Sequence, residues 1–181
     1  MLPAQPNHSL IDGLDLLQAL SAAVEPVGVR ELARRLSLEP TRVNRLLKTL
    51  AHLGLAEQDD QRRYVPGPAI HVLAAQTLRS SGLIRRAIEP LQSLQAVGHI
   101  VAMGVLWRTE VCYTYFACGR ATAAEAIGSR APHPSTMSAL GLALLAEQCE
   151  DQIRGRFANQ STAPFRDIAS LVKELRRIQK T

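Results

Sequence analysis

The sequence predicts an α+β chain, in which an N-terminal winged helix-turn-helix is followed by a linker helix and a partial α/β domain. Three observations carry this. Between Ser9 and Gly54 apolar residues recur at helical spacing, with breaks at Val24–Gly28 and at Ser37-Leu38-Glu39. Two short β-prone runs, LAEQ and RYVP, flank the turn-forming Asp59-Asp60-Gln61-Arg62. Beyond Gly98 the pattern changes to β-rich runs and then returns to helices. The expected boundaries are a tail over 1–8, the winged unit over 9–67, the linker helix over 68–82 and the α/β domain over 83–181.

The first helix starts near Ser9, a candidate N-cap, and places Leu10, Leu14, Leu17 and Leu20 on one face. VRELARRLSLEPTRVNRLLKTLAHLG reads as two helices. Pro40 suits the first turn of the second of them, where its missing N–H costs nothing, and Gly54 closes that helix. Ala33 is expected where the two helices cross closely, and Ser37 in the tight turn. Leu32, Leu36, Leu38, Val43 and Leu46 should hold the pair at its angle. Val43, Leu46, Leu47, Leu50 and Leu53 should bury one side of the second helix. Gly67-Pro68 opens the linker helix AIHVLAAQTLRSS, which ends at Gly82. LIRRAIEPLQSLQAV is a further helix that Pro90 should kink or divide. IVAMGVLW and VCYTYFAC form a hairpin around Arg108-Thr109-Glu110. A proline-bearing loop leads to an apolar helix from about Ser138, and DIASLVKELRRIQKT is an amphipathic helix reaching the chain end.

Composition narrows the function. The 181 residues are 46% hydrophobic and 20% charged, enough to build a core. Twenty-one Lys and Arg against 16 Asp and Glu give +5, and the surplus is local. Arg30, Arg34, Arg35, Arg42, Arg45 and Lys48 face only Glu31 and Glu39 in the same stretch, a pattern that suits a polyanion. Three cysteines without CxxC spacing indicate neither a disulfide framework nor a zinc module, and no metal or other cofactor is expected. Reduced thiols, the lack of a secretory pattern at the start, and polar residues within Pro90–Trp107 point to a cytoplasmic, nucleoid-associated protein rather than a membrane one. Nucleophile elbows, phosphate loops and paired carboxylates are all missing, so an enzyme is not expected.

The motifs ELARRLSL (Glu31 to Leu38), TRVNRLLKTL (Thr41 to Leu50) and YVPGP (Tyr64 to Pro68) make the N-terminal part resemble the IclR family of bacterial transcriptional regulators. The second part is similar in Leu83–Pro90, in the VLW–VCY hairpin, and in Gly128–Arg130 followed by Ala139–Ala146. The likeness runs from Ser9 to about Ile178. It implies a DNA-binding winged helix and a GAF-like effector-binding domain, acting as a homodimer or higher oligomer on palindromic double-stranded DNA. Two departures stand out. His133 and Pro134 are crowded together and Leu142 occupies a position where the family carries a basic residue. The chain also stops where the family continues, so the effector domain is expected to be incomplete.

The recognition helix, about Pro40–Leu53, should lie in the major groove, where arginine can bond guanine and asparagine adenine bidentately. Thr41, Arg42 and Arg45 are expected to face outward with Asn44 and Lys48 on the flanks. Arg42 and Asn44 are the candidates for base reading. Arg45, Lys48 and Arg30 are candidates for phosphate contacts, and Arg62 and Arg63 for a wing over the backbone or minor groove. For a small-molecule effector, Met103, Trp107, Tyr113, Tyr115 and Phe116 could line an apolar pocket, with Arg130, Ser135 and Thr136 as polar anchors. The plain alternative is that these aromatics are strand core. His133 reads as a loop surface residue. Two other functions fit the same sequence: a truncated interaction protein that dimerises with longer relatives and blocks them, and a small-molecule-binding module with a vestigial DNA domain. DNA binding separates them from a regulator.

Overall fold

The computed structural model describes residues 5–128 and 130–180; residues 1–4 of the expected tail and Ser129 of the Gly128–Arg130 motif lie outside them. The chain divides into two compact units between Arg85 and Arg86, three residues beyond the boundary expected at 82/83.

The first unit begins with α1 (His8–Ser21), α2 (Val29–Leu36) and α3 (Pro40–His52). Asn7, not Ser9, caps α1: its side-chain oxygen accepts the Leu10 N–H at 3.1 Å. The buried face of α1 is also rotated from the expected one. Leu16 and Leu20 are fully buried, whereas Leu10 and Leu14 are exposed. Gly13 lies on this buried side too, facing Leu46 of α3, so α1 meets α3 along the Gly13–Leu16–Leu20 side.

Between α2 and α3 the chain turns as expected. Ser37 sits in the left-handed region at φ 53°, ψ 40°, and the Leu38 N–H bonds back to the Ala33 carbonyl at 3.0 Å, a Schellman-type closure. Leu32 and Ala33 from α2 pack with Val43, Leu47 and Leu50 from α3 and with Tyr64. Leu53 departs from expectation. It stands past the end of α3 and is 57% exposed, because the helix has closed before its side chain could turn inward.

Strands β1 (Ala56–Gln58) and β2 (Tyr64–Pro66) form the antiparallel wing with Glu57 opposite Val65. Val27 and Tyr64 exchange two backbone hydrogen bonds, at 2.9 and 2.8 Å, which tie the wing to the segment before α2. Gly67 has no room for a side chain: a Cβ would stand 2.3 Å from the Gly54 carbonyl oxygen. The linker helix is α4 (Ala69–Ser81), stopped by Gly82 at φ 61°.

A second connecting helix, α5 (Leu83–Ala96), spans the division between units and runs unbroken through Pro90, which was expected to kink or divide it. The second unit then holds β3 (Val101–Trp107), β4 (Glu110–Ala117) and the short β5 (His133–Pro134), antiparallel in the order β3-β4-β5. The β3–β4 turn is only Arg108-Thr109, with Arg108 at φ 54°, and Glu110 already pairs with Trp107. Helices α6 (Ala123–Ala126), α7 (Ala139–Ala146), α8 (Glu150–Phe157) and α9 (Ile168–Ile178) complete it, with a 3-10 turn at Ser135–Met137. Helix α8 has no counterpart in the sequence reading, because only Ile153 and Phe157 of its eight residues are buried and the apolar period is correspondingly faint. Those two side chains join Leu145, Leu171 and Leu175 in one core cluster. Tyr115, Val101, Ala117 and Ala126 form another under the strands.

Candidate nucleic-acid interface and ligand cavity

Burial defines which side of α3 is available. Val43, Leu47 and Leu50 turn inward, and Thr41, Arg45, Lys48, Thr49 and His52 are exposed. At 100° per residue the outward stripe therefore centres between Thr41 and Arg45. Arg42 and Asn44, the two expected base readers, lie on opposite flanks and are half-buried.

The cations of this unit differ in freedom. Glu31 binds Arg34 and Arg35 at 2.8 Å each, and hydrogen bonds from Arg34 first and Arg35 second pull the Glu31 carboxyl down to about 2. Arg42 pairs with Asp12 on α1 at 2.5 Å. In the wing, Asp59 accepts from the backbone N–H groups of Gln61 and Arg63 at 3.0 and 2.8 Å and from Arg63 Nε at 3.0 Å. The Arg63 backbone N–H, seconded by its guanidinium, holds Asp59 below the usual carboxylate range. Arg63 is thus a brace of the wing turn. Its neighbour Arg62, at φ 60°, stands exposed at the tip. Arg30, Arg45, Lys48 and Arg62 carry no ion pair among the described residues. Exposed cations at the start of α2 (Arg30), on α3 (Arg45 and Lys48) and at the wing tip (Arg62) are of the kind that contacts a phosphate backbone, and Thr41 stands exposed in the first turn of α3.

In the second unit a cavity of about 710 Å³ opens beside β4 and the loop before α7. Of the expected pocket residues it brings together Tyr113, Phe116 and Arg130. The Arg130 guanidinium lies 3.7 Å from the Phe116 ring centroid, and the Tyr113 and Ser138 hydroxyls share a 2.6 Å hydrogen bond. Five residues expected at the pocket are placed elsewhere. Tyr115 is buried, with its hydroxyl donating to Gln95 Oε1 at 3.2 Å, and Met103 packs against the same cluster. Trp107 stands exposed near the hairpin tip, beside Arg108. Ser135 and Thr136 are buried and donate to the backbone carbonyls of Thr109 and Ala163, at 2.8 and 2.5 Å, so their hydroxyls are occupied in holding the 3-10 turn.

The cavity also gathers residues that sequence reasoning missed, namely Glu125, Cys118, Met137, Ser138 and His133. Thr122 and Glu125 at TxxE spacing were a legible signal. They form a capping box on α6, with Glu125 accepting from the Thr122 N–H at 2.7 Å and hydroxyl at 2.8 Å. Among the described residues no group of three or more His, Cys, Asp or Glu could hold a metal ion, and no helix is long and apolar enough to cross a membrane.

Comparisons with known proteins bear on both units. Residues 9–60 match the IclR helix-turn-helix domain. The chain is similar to the HTH-type transcriptional regulator BhcR of Paracoccus denitrificans, at 32% identity over 184 residues covering 95% of this chain. It spans 64% of the length of that relative. The crystal structure of an IclR family transcriptional regulator from Brucella abortus superposes with a TM-score of 0.72 at 26% identity, over 97% of this chain and 67% of its own. An IclR homolog from Microbacterium hydrocarbonoxydans, complexed with 4-hydroxybenzoate, shares the fold at a TM-score of 0.65 and 16% identity, over 95% of this chain and 74% of its own.

Proposed function

We propose that the chain, whose residues 9–60 match the IclR helix-turn-helix domain, is a sequence-specific DNA-binding transcriptional regulator of the IclR type that places α3 in the major groove. The single observation that supports this best is the outward stripe of α3, where Thr41, Arg45 and Lys48 stand exposed and neither cation has a competing carboxylate among the described residues. Arg45 and Lys48 supply phosphate contacts, joined by Arg30 on α2 and Arg62 at the wing tip. Thr41 and Asn44 reach base edges from the first turns of the helix.

One winged unit offers a small footprint, and two units on a palindrome read twice the sequence at a fixed spacing. The chain therefore acts as a homodimer or higher oligomer. Helix α4 is the proposed contact, since Leu73 and Leu78 are exposed large apolar side chains with the small Ala74 between them. A selection from randomised duplex DNA by the purified protein tests the reading. Enrichment of an inverted repeat supports it, and a library left unchanged after repeated rounds defeats it. Light scattering over a dilution series tests the dimer, which a stable monomer at high concentration would rule out.

A second reading concerns regulation and is favoured by the cavity at Tyr113, Phe116 and Arg130. A small anionic molecule bound there by Arg130 would modulate DNA binding. The structural relative bound to 4-hydroxybenzoate makes aromatic carboxylates the first probes. Raised thermal stability with a carboxylate but not with its amide supports this. Equal shifts with both would remove Arg130 from the role.

A further inference from the structure

Among the described residues, Arg42 is the one cation of the recognition helix that meets a carboxylate from another helix. Its Nη2 lies 2.5 Å from Asp12 Oδ2, and the two side chains are 39% and 15% exposed. Arg45 and Lys48, on the same helix, have no such partner among the described residues and are exposed. Asp12 Oδ2 is itself buried and makes no well-aligned hydrogen bond among the described residues, so the Arg42 charge 2.5 Å away is what compensates it. The pair bridges α1 and α3 one residue from Gly13, which faces Leu46 of α3.

A guanidinium whose charge is already compensated by a largely buried carboxylate releases less on meeting a phosphate, and the nitrogen held by Asp12 is lost to a bidentate pair with guanine. Breaking the pair would strand Asp12, which is costly for a buried ion. Retaining it leaves Arg42 fixing where α3 sits on α1. We infer that Asp12 withholds Arg42 from DNA, so that Arg42 positions the recognition helix and Asp12 limits the number of phosphates the domain engages. This rests on the proposed DNA-binding function. It adds that a carboxylate within the domain competes with the nucleic acid for one of its arginines.

The experiment measures the affinity of the full chain for one selected duplex across a fourfold rise in salt, for wild type, Asp12→Asn, Arg42→Gln and the double variant. Each added phosphate contact steepens the log–log slope by about 0.9, which is about 3.5-fold more affinity lost over that range. Asp12→Asn is expected to show that steeper slope because the freed Arg42 reaches the backbone. Arg42→Gln is expected to keep the wild-type slope, and the double variant to match Arg42→Gln. An Asp12→Asn slope equal to wild type would overturn the inference, as would an Arg42→Gln slope lower by about 0.9, which means that Arg42 already touches DNA. Should Asp12→Asn fail to fold, Arg42→Gln still decides. Absence of any wild-type binding is a different result: it removes the DNA-binding reading itself.

Discussion

Gly67→Ala adds one methyl group at the junction of the wing and the linker helix. Its Cβ would lie 2.3 Å from the Gly54 oxygen, 2.8 Å from the Ala56 nitrogen and 2.9 Å from the Gly54 carbonyl carbon. All three are backbone atoms and cannot rotate away as a side chain would. They are also fixed by hydrogen bonds from Gly67 N to the Leu55 carbonyl and from Ala69 N to the Gly54 carbonyl, each 3.0 Å. Overpacking costs about 1–3 kcal/mol when side chains can adjust, and here the upper end applies because the backbone must move. A loss of about 3 kcal/mol is a large part of a total of about 5–15 kcal/mol, and in a domain of this size it lowers Tm by about 12–24 °C. Gly28→Ala is the internal control, since nothing lies within 4 Å of its Cβ position. At that helix N-cap glycine is preferred over alanine, so a loss of about 1 kcal/mol is expected, well short of that at Gly67. Urea unfolding followed by helical circular dichroism measures both. Equal midpoints for the two variants would refute the close approach at Gly67.

Three further outcomes follow from the first unit. Ala33→Leu must place a large side chain in the buried crossing of α2 and α3, so stability should drop by about 1–3 kcal/mol and DNA affinity with it; unchanged values on both would mean that the crossing is misassigned. Ser37→Gly relieves a non-glycine residue at φ 53°, and a gain of up to about 1 kcal/mol in chemical denaturation is expected, whereas a loss would argue against the left-handed turn. Glu31 has a folded pKa near 2 against an ordinary 4.5, so its contribution is present above about pH 4.5 and fades as the pH falls toward 2. Glu31→Gln should flatten that part of the stability–pH curve, and because the group is exposed to solvent the effect is small and shrinks with salt.

The helix-turn-helix was legible because local chemistry specifies it. Pro40 opens α3, Ser37 and Leu38 close the turn, and the apolar period of α3 survives burial almost intact. The rotation of α1 was not legible, since Leu10 and Leu14 satisfy the same helical period as Leu16 and Leu20, and only packing into the shared core with α3 chooses between them. The division of labour among the arginines was also hidden. Arg42 looks like its neighbours until the fold brings Asp12 from α1 beside it. In the second unit Tyr113 and Arg130 were anticipated at the cavity, but Ser135 and Thr136 were not recognisable as structural. Their hydroxyl partners are backbone carbonyls distant in sequence, which residue type alone does not reveal.

The central claim is that the α3 stripe carries the protein onto DNA, and the salt dependence of binding tests it most directly. Affinity for a selected duplex would be measured at several salt concentrations for wild type, Arg45→Ala, Lys48→Ala and the double variant. Each single variant should reduce the log–log slope by about 0.9 and the double by about 1.8, with weaker binding to every sequence alike. A double variant that retained the wild-type slope and affinity would contradict the claim.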